Sequence, residues 1–344
     1  MGTPGYDCIV YHKGECVYRH FNGYNDAKNK IPMNGKEVYN IYSCSKPITC
    51  AAALLLYEQG KFNLEDKLSK YMPEFEKMYV QTEDGIVEAK RDIAIIDLFC
   101  MTAGFSYNVN SPMLELCKKE TEGRCPTREA MKYLAKEPLL FEPGSGWKYS
   151  LCHDVLAALV EVVSGMRFGE FVKKNIFEPL GMNDSTFLLD DKDIDKVACQ
   201  YKYNKETKET EEQAKTISYK LGTEYESGGA GCISTVDDYI KFLEAIRKDG
   251  IILQKETLDL MTTNLLTPQL LEQYVVDGYG YGLGVRCSKG DDDITEFGWG
   301  GAAGGYLAVD REKEITIFYV QHVRTSPVQD VKADILPIIY EALK

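Results

Sequence analysis

Histidine is scarce in this chain of 344 residues. The four are His12, His20, His153 and His322, and no two stand in an H-x-x-x-H arrangement, so no histidine-based metal site is expected. The eleven cysteines are odd in number and include no C-x-x-C pair. They read as reduced core thiols rather than a disulfide framework or a zinc site. Basic residues are outnumbered, 40 Lys and Arg against 53 Asp and Glu, for a formal net charge of −13. Phosphate binding needs clustered cations, so neither nucleic acid nor an anionic membrane is an expected partner. No apolar run approaches the length of a membrane span, and the longest, around Ala51–Leu56, has the length of a buried helix. The opening stretch, MGTPGYDCIVYHKG, has neither an apolar signal core nor a cleavage pattern. The expected compartment is therefore the cytoplasm.

What is present is an ordinary globular composition, 44% hydrophobic and 27% charged. The length exceeds what one hydrophobic core usually spans, so a large two-lobed unit is expected. Residues 7–11 and 15–21 are short β-type runs joined by HKG, a hairpin signal. From Ser43 to Gly60 the pattern is helical, with an Ala/Leu-rich body and a closing glycine. Helical spacing recurs near 64–71, 92–101, 127–136, 150–164 and 168–177, between Gly, Pro and Asn turns. The polar stretch 198–215 predicts a hairpin or flap, and 234–250 a well-capped helix. Strand-like runs follow at 279–287, 294–300, 304–310 and 314–322, then a closing helix. The expected fold class is α+β. One antiparallel sheet is built from both chain ends (1–60 plus 231–344) and flanked by helices, with a mainly helical lobe (61–230) inserted and the active site between them.

Ser-x-x-Lys spacing occurs twice, at Ser43/Lys46 in YSCSKPIT and at Ser145/Lys148 in PGSGWKYS. Ser43 opens a helical pattern, where positions i and i+3 share a face and Lys46 can reach the serine oxygen. A serine hydroxyl needs such an adjacent base to act as a nucleophile. Ser145 lies in a glycine-rich loop, where that geometry fails. Ser43 is also well placed to be a plain helix N-cap, and Cys44 and Ser45 lack a lysine one turn ahead. Tyr149 stands at a loop-to-helix junction, as a candidate proton relay or a partly buried aromatic. His153, four residues on, is either a neighbour of that tyrosine or a core histidine. In EFGWGGAAGGYLAVD, residues 296–310, glycines allow close approach to a strand edge. A free N–H there, paired with that of Ser43, would make an oxyanion hole, and the alternative is an ordinary hairpin turn.

Together and in this order, these features resemble the serine β-lactamase and penicillin-binding-protein superfamily, in its class C-like branch with the family VIII esterases and D-amino-acid peptidases. The resemblance covers nearly the whole chain, through YNIYSCSKPIT, DLFCMTAGFSYN, EPGSGWKYSLCHDVL, ESGGAGCISTVDDYIKF and FGWGGAAGGYLAVD. It implies an α/β sandwich of the β-lactamase/transpeptidase type, a small-molecule substrate, a covalent acyl-enzyme and no cofactor. By resemblance, Ser43 is the acylated nucleophile, Lys46 its helper base and Tyr149 the tyrosine of a Tyr-x-Asn motif. Trp299, Gly300 and Gly301 occupy the substrate-binding Lys-Thr-Gly motif, and Ala302 gives the second oxyanion N–H.

Two positions depart from the pattern: Leu151 replaces the asparagine and Trp299 the lysine. Losing that cation weakens recognition of a substrate carboxylate, and Trp-Gly-Gly is similar to the family VIII esterases. Ester hydrolysis is therefore expected over β-lactam cleavage. A cationic His153 would partly replace the missing lysine by favouring a Tyr149 phenolate. The alternatives are a weak β-lactamase, a D-peptidase or amidase, an acyltransferase, and a non-catalytic binding protein with the same fold. The sequence carries no signal of oligomeric state.

Overall fold

The computed structural model describes residues 3–189, 191–217, 219–290, 293–326 and 331–343. Its centre is an eight-stranded antiparallel sheet drawn from both chain ends, as expected from the alternating runs. In spatial order the strands are Gly280–Tyr281, Arg286–Cys287, Glu296–Gly301, Gly305–Asp310, Ile315–Val320, Gly5–His12, Glu15–Asp26 and Ile31–Pro32. The first long strand pairs with the last, in a register from Asp7 opposite Val320 to His12 opposite Ile315.

Side chains alternate across this sheet, as the two-residue period of a strand requires. Cys8, Val10, Ile317 and Tyr319 face the closing helix, Val331–Ala342, which contributes Leu336. Ile9, Phe297, Leu307, Phe318 and Val320 face the main core. There the Val236–Arg247 helix packs on the central strands. The Ser45–Glu58 helix runs through the middle of that core. Ile48, Cys50, Ala51, Ala52, Ala53 and Leu54 have no exposed surface, so the helix reads as a continuous apolar run instead of an amphipathic stripe. The Cys152–Ser164 helix packs against it, and the Ile95–Cys100 helix packs in turn on Cys152–Ser164.

Several local expectations change. Residues 64–71 hold turns and one 3-10 turn, Leu68–Lys70, because tertiary backbone bonds such as Leu68 N to Ile93 O replace the helical ladder. A helix at Pro112–Glu120, capped by Ser111, and a hairpin pairing Tyr79–Thr82 with Gly85–Glu88 were not anticipated. The 279–287 run is two short strands folded about Gly284, at φ +86°. A Cβ there would fall 2.2 Å from Cys50 Sγ, so only glycine lets this hairpin sit on the core helix. The expected flap is a hairpin, Gln200–Tyr203 with Thr210–Gln213. None of the eleven cysteines is joined in a disulfide, and every one but Cys16 is buried. Among the described residues no helix is long and apolar enough to cross a membrane.

His153 and His322 are enclosed in the core, and burial pushes their imidazoles down from 6.5 to about 3 and about 4. Each folded value lies below the unfolded one, so the unfolded chain takes up the proton first and stability is lost as pH falls below 6.5. Buried carboxylates such as Asp7, raised to about 6, act in the opposite sense. A comparison with His153→Gln isolates the histidine. Between pH 7 and pH 5 the wild type should lose about 2 kcal/mol relative to the variant, read from urea unfolding. An unchanged difference would mean that His153 is solvated.

Candidate active site

Ser43 lies in a 3-10 turn, Tyr42–Cys44, that feeds the Ser45–Glu58 helix. It is not a cap. The N-cap position is Cys44, with no side-chain capping bond, and it is Ser45 whose hydroxyl ties the turn, donating to the Tyr42 carbonyl at 2.5 Å and accepting from Cys232 N at 2.9 Å. Tyr42 sits in the left-handed region at φ +49°, a strained conformation for a bulky residue. Complete burial, a hydrogen bond from its hydroxyl to Gln200 and edge packing on Tyr219 hold it there. The Ser43 oxygen is thereby left free of structural duties.

Two side chains converge on that oxygen. Lys46 Nζ donates to Ser43 Oγ at 3.3 Å and to the Gly229 carbonyl at 2.6 Å. The Tyr149 hydroxyl donates to the same Oγ at 2.5 Å. Lys46 has no exposed surface, and its ammonium lies over the faces of Tyr149 and Tyr107, 4.4 and 5.6 Å from the ring centroids. Tyr149 is held in a loop pinned by Lys148 N to Met101 O and Leu151 N to Ser106 O. Its ring is stacked between Tyr107, at 5.3 Å, and Trp299, at 5.9 Å.

Behind Lys46 the chain passes through Gly228 and Gly229. A Cβ on Gly228 would lie 2.2 Å from the His153 carbonyl. One on Gly229 would lie 2.7 Å from Asp154 Oδ2 and 3.4 Å from Lys46 Nζ. Asp154 is fully buried, and its Oδ1 accepts hydroxyl hydrogen bonds from Tyr225 and Ser227. On the other side the Glu296–Gly301 strand ends against the serine turn. A Cβ on Gly301 would come 2.5 Å from the Ile41 carbonyl, so this glycine is what lets the strand end, and Ala302 after it, approach Ser43.

These groups open on a cleft of about 610 Å³, walled by Ser43, Tyr149, Trp299, Gly300, Gly301 and Ala302 on one side. Val275, Val276, Tyr279, Arg286 and Tyr306 complete the wall. Ser43, Lys46, Tyr149, Trp299, Gly300, Gly301 and Ala302 are thus brought together. His153 is not. Its ring is enclosed, with Nε2 3.3 Å from the Phe99 carbonyl and 3.6 Å from Cys50 Sγ. Burial, and then the Lys46 ammonium, keep it neutral, so it neither reaches a substrate nor acts as a cation. Ser145 and Lys148 stand on an exposed turn, where Ser145 Oγ bonds the Glu142 carbonyl. Tyr107, Gly229, Asp154 and Arg286 were missed. The Gly228–Gly229 pair, with Gly231 close after it, was the available signal, since clustered glycines mark a close backbone approach.

The Beta-lactamase family profile matches residues 1–338. Esterase EstB of Burkholderia gladioli is 26% identical, over 90% of this chain and 83% of its own. Protein Rv1367c of Mycobacterium tuberculosis is 27% identical, over 87% of this chain and 81% of its own. Among solved structures, EstCE1, described as a hydrolase with promiscuous acyltransferase activity, superposes with a TM-score of 0.79 at 26% identity, covering 96% of this chain and 92% of that one. A serine, a buried lysine and a tyrosine sharing one hydrogen-bonded oxygen at the end of a strand of the antiparallel sheet, with a family match over nearly the full length, lead to one assignment: this chain belongs to the Beta-lactamase family.

Proposed function

We propose that this protein is a serine hydrolase that cleaves small carboxylic esters through a covalent acyl-enzyme on Ser43. The observation that carries the reading is the meeting of Lys46 Nζ and the Tyr149 hydroxyl on the one serine oxygen that opens on the cleft. With one proton of the Lys46–Tyr149 pair given up to solvent beforehand, Ser43 Oγ forms a bond to the ester carbonyl carbon in acylation, and the serine proton passes to the vacated position on the pair. The N–H groups of Ser43 and Ala302 receive the developing oxyanion. Collapse breaks the bond to the alcohol oxygen, which takes a proton from Tyr149. Water then attacks the acyl carbon and gives its proton to the same pair, which passes it to Ser43 Oγ as the Oγ–acyl bond breaks and the acid leaves. A binding protein that merely kept the fold would have no use for an enclosed ammonium held against a cleft serine.

Esters are favoured over β-lactams because Trp299 occupies the position of a carboxylate-binding lysine and Leu151 that of a substrate-binding amide. The named activity of Esterase EstB agrees with this reading. EstCE1 points to a second outcome at the same acyl-enzyme, in which an alcohol replaces water as the acceptor.

A panel of p-nitrophenyl esters beside a chromogenic cephalosporin tests the assignment. Short-chain esters should have the higher kcat/KM, and the reverse order would defeat it. Ser43→Ala should lower ester turnover by at least about 10³-fold and abolish fluorophosphonate labelling. Because Ser43 caps nothing, its stability should change by less than about 1 kcal/mol. Retention of a tenth of the activity would place the nucleophile elsewhere.

Tyr149→Phe keeps the ring between Tyr107 and Trp299 but removes the hydroxyl. Activity should fall by about 10²–10⁴-fold with little change in unfolding midpoint. An active Tyr149→Phe enzyme would leave Lys46 as the sole proton carrier.

A further inference from the structure

Arg286 is the only basic side chain among the described residues that line the cleft. Its guanidinium lies between two tyrosine rings, 5.2 Å from the centroid of Tyr279 and 5.1 Å from that of Tyr306. Nη1 donates to the Leu307 carbonyl at 3.4 Å and Nη2 to the Tyr306 hydroxyl at 3.2 Å. Room for it is made by Gly298 on the paired strand, where a Cβ would lie 3.0 Å from Nη1. Behind it, out of the cleft wall, stands Glu296. Glu296 Oε1 is 3.6 Å from Nη2 and accepts the Tyr279 hydroxyl at 2.6 Å. Arg286 and Glu296 are 6% and 4% exposed, so little water screens the pair.

We propose that this pair is a charge filter: Glu296 cancels the one cation that faces the cleft, so the site takes esters whose acyl and alcohol groups are uncharged and rejects those that carry a carboxylate. A substrate carboxylate entering here must shed its water. It meets apolar walls and a guanidinium whose charge is balanced by Glu296 and which already donates to the Leu307 carbonyl and the Tyr306 hydroxyl, so the desolvation cost is not recovered. An uncharged group pays no such penalty and gains contact with Val275, Val276, Tyr279, Trp299 and Tyr306. The filter rests on the ester-cleaving reading only for the identity of the ligand, since it is a property of the cleft wall. Glu296 is a specificity residue acting through Arg286. A purely structural pair, tying neighbouring strands together, would leave selectivity untouched when altered.

The Ser43→Ala protein binds esters without turning them over, and quenching of its tryptophan fluorescence reads affinity. One comparison sets p-nitrophenyl hexanoate against the mono-p-nitrophenyl ester of adipic acid, which places a carboxylate at the end of the acyl chain. A second sets phenyl hexanoate against 4-carboxyphenyl hexanoate, which places it on the alcohol. Parent protein should prefer the neutral ester by about tenfold or more where the varied group lies over Arg286. Glu296→Gln in the same background should reduce that preference by about tenfold or more. Arg286→Met combined with Glu296→Met removes both charges and should keep the neutral preference. Parity in both comparisons overturns the proposal. So does an unchanged ratio in Glu296→Gln, or a double variant that gains the carboxylate esters. Should Glu296→Gln not fold, the parent and the double variant still decide. Failure of the ester-cleaving reading has a separate signature: p-nitrophenyl hexanoate would not be hydrolysed by the protein that retains Ser43, whatever the binding ratios.

Discussion

A lysine ammonium with no exposed surface must be held by what surrounds it, because the cost of removing it from water is several kcal/mol. Most of the site follows from that constraint at Lys46. The Gly229 carbonyl takes one hydrogen bond, Ser43 Oγ another, and the faces of Tyr149 and Tyr107 cover the charge. The Asp154 carboxylate, steadied by Tyr225 and Ser227, borders the same side of Gly229 as the ammonium. The turn through Gly228 and Gly229 is fixed in its own right, since the Thr49 hydroxyl on the Ser45–Glu58 helix bonds the Gly228 carbonyl at 2.7 Å. The same enclosure keeps His153 neutral, since its ring shares the core with the ammonium.

The parts of the site that were legible in the sequence are the local ones. Ser43 and Lys46 are three residues apart on one turn, and helical geometry relates them directly. The sheet drawn from both chain ends was legible because each strand carries its own alternation. His153 shows where spacing misleads. Four residues from Tyr149, it would project over the same turn only if both lay on one helix. The helix begins at Cys152, so Tyr149 belongs to the loop and His153 turns into the core. Arg286 and Glu296 were invisible for another reason. Their meaning depends on neighbouring strands, and a lone arginine after YGLGV looks like any edge-strand cation. The 64–71 segment failed because its backbone bonds run to Ile93 and Ala94, which no helical period encodes.

Trp299, where the resemblance places a lysine, brings more than the loss of a charge. Trp299 gives the tyrosine ring a second stacking face, so Tyr149 is set by aromatic packing on both sides. Its orientation then depends on dispersion and ring geometry, which salt does not screen. Tyr281 packs edge-on against Trp299 at 5.2 Å, extending that support into the core.

The pairing of Gly5–His12 with Ile315–Val320 has a consequence for how the molecule comes into being. The first strand leaves the ribosome ~300 residues before its central neighbour is made, a wait of roughly 15–60 s at ordinary rates of synthesis. Over that interval the amino-terminal hairpin has an open edge in what will be the middle of the sheet. The Ser43 turn is also made early, yet its seat against Gly301 and its neighbour Ala302 arrive only with the last strands. A nascent chain therefore carries the Ser43 turn long before it carries the strands that complete the cleft around it.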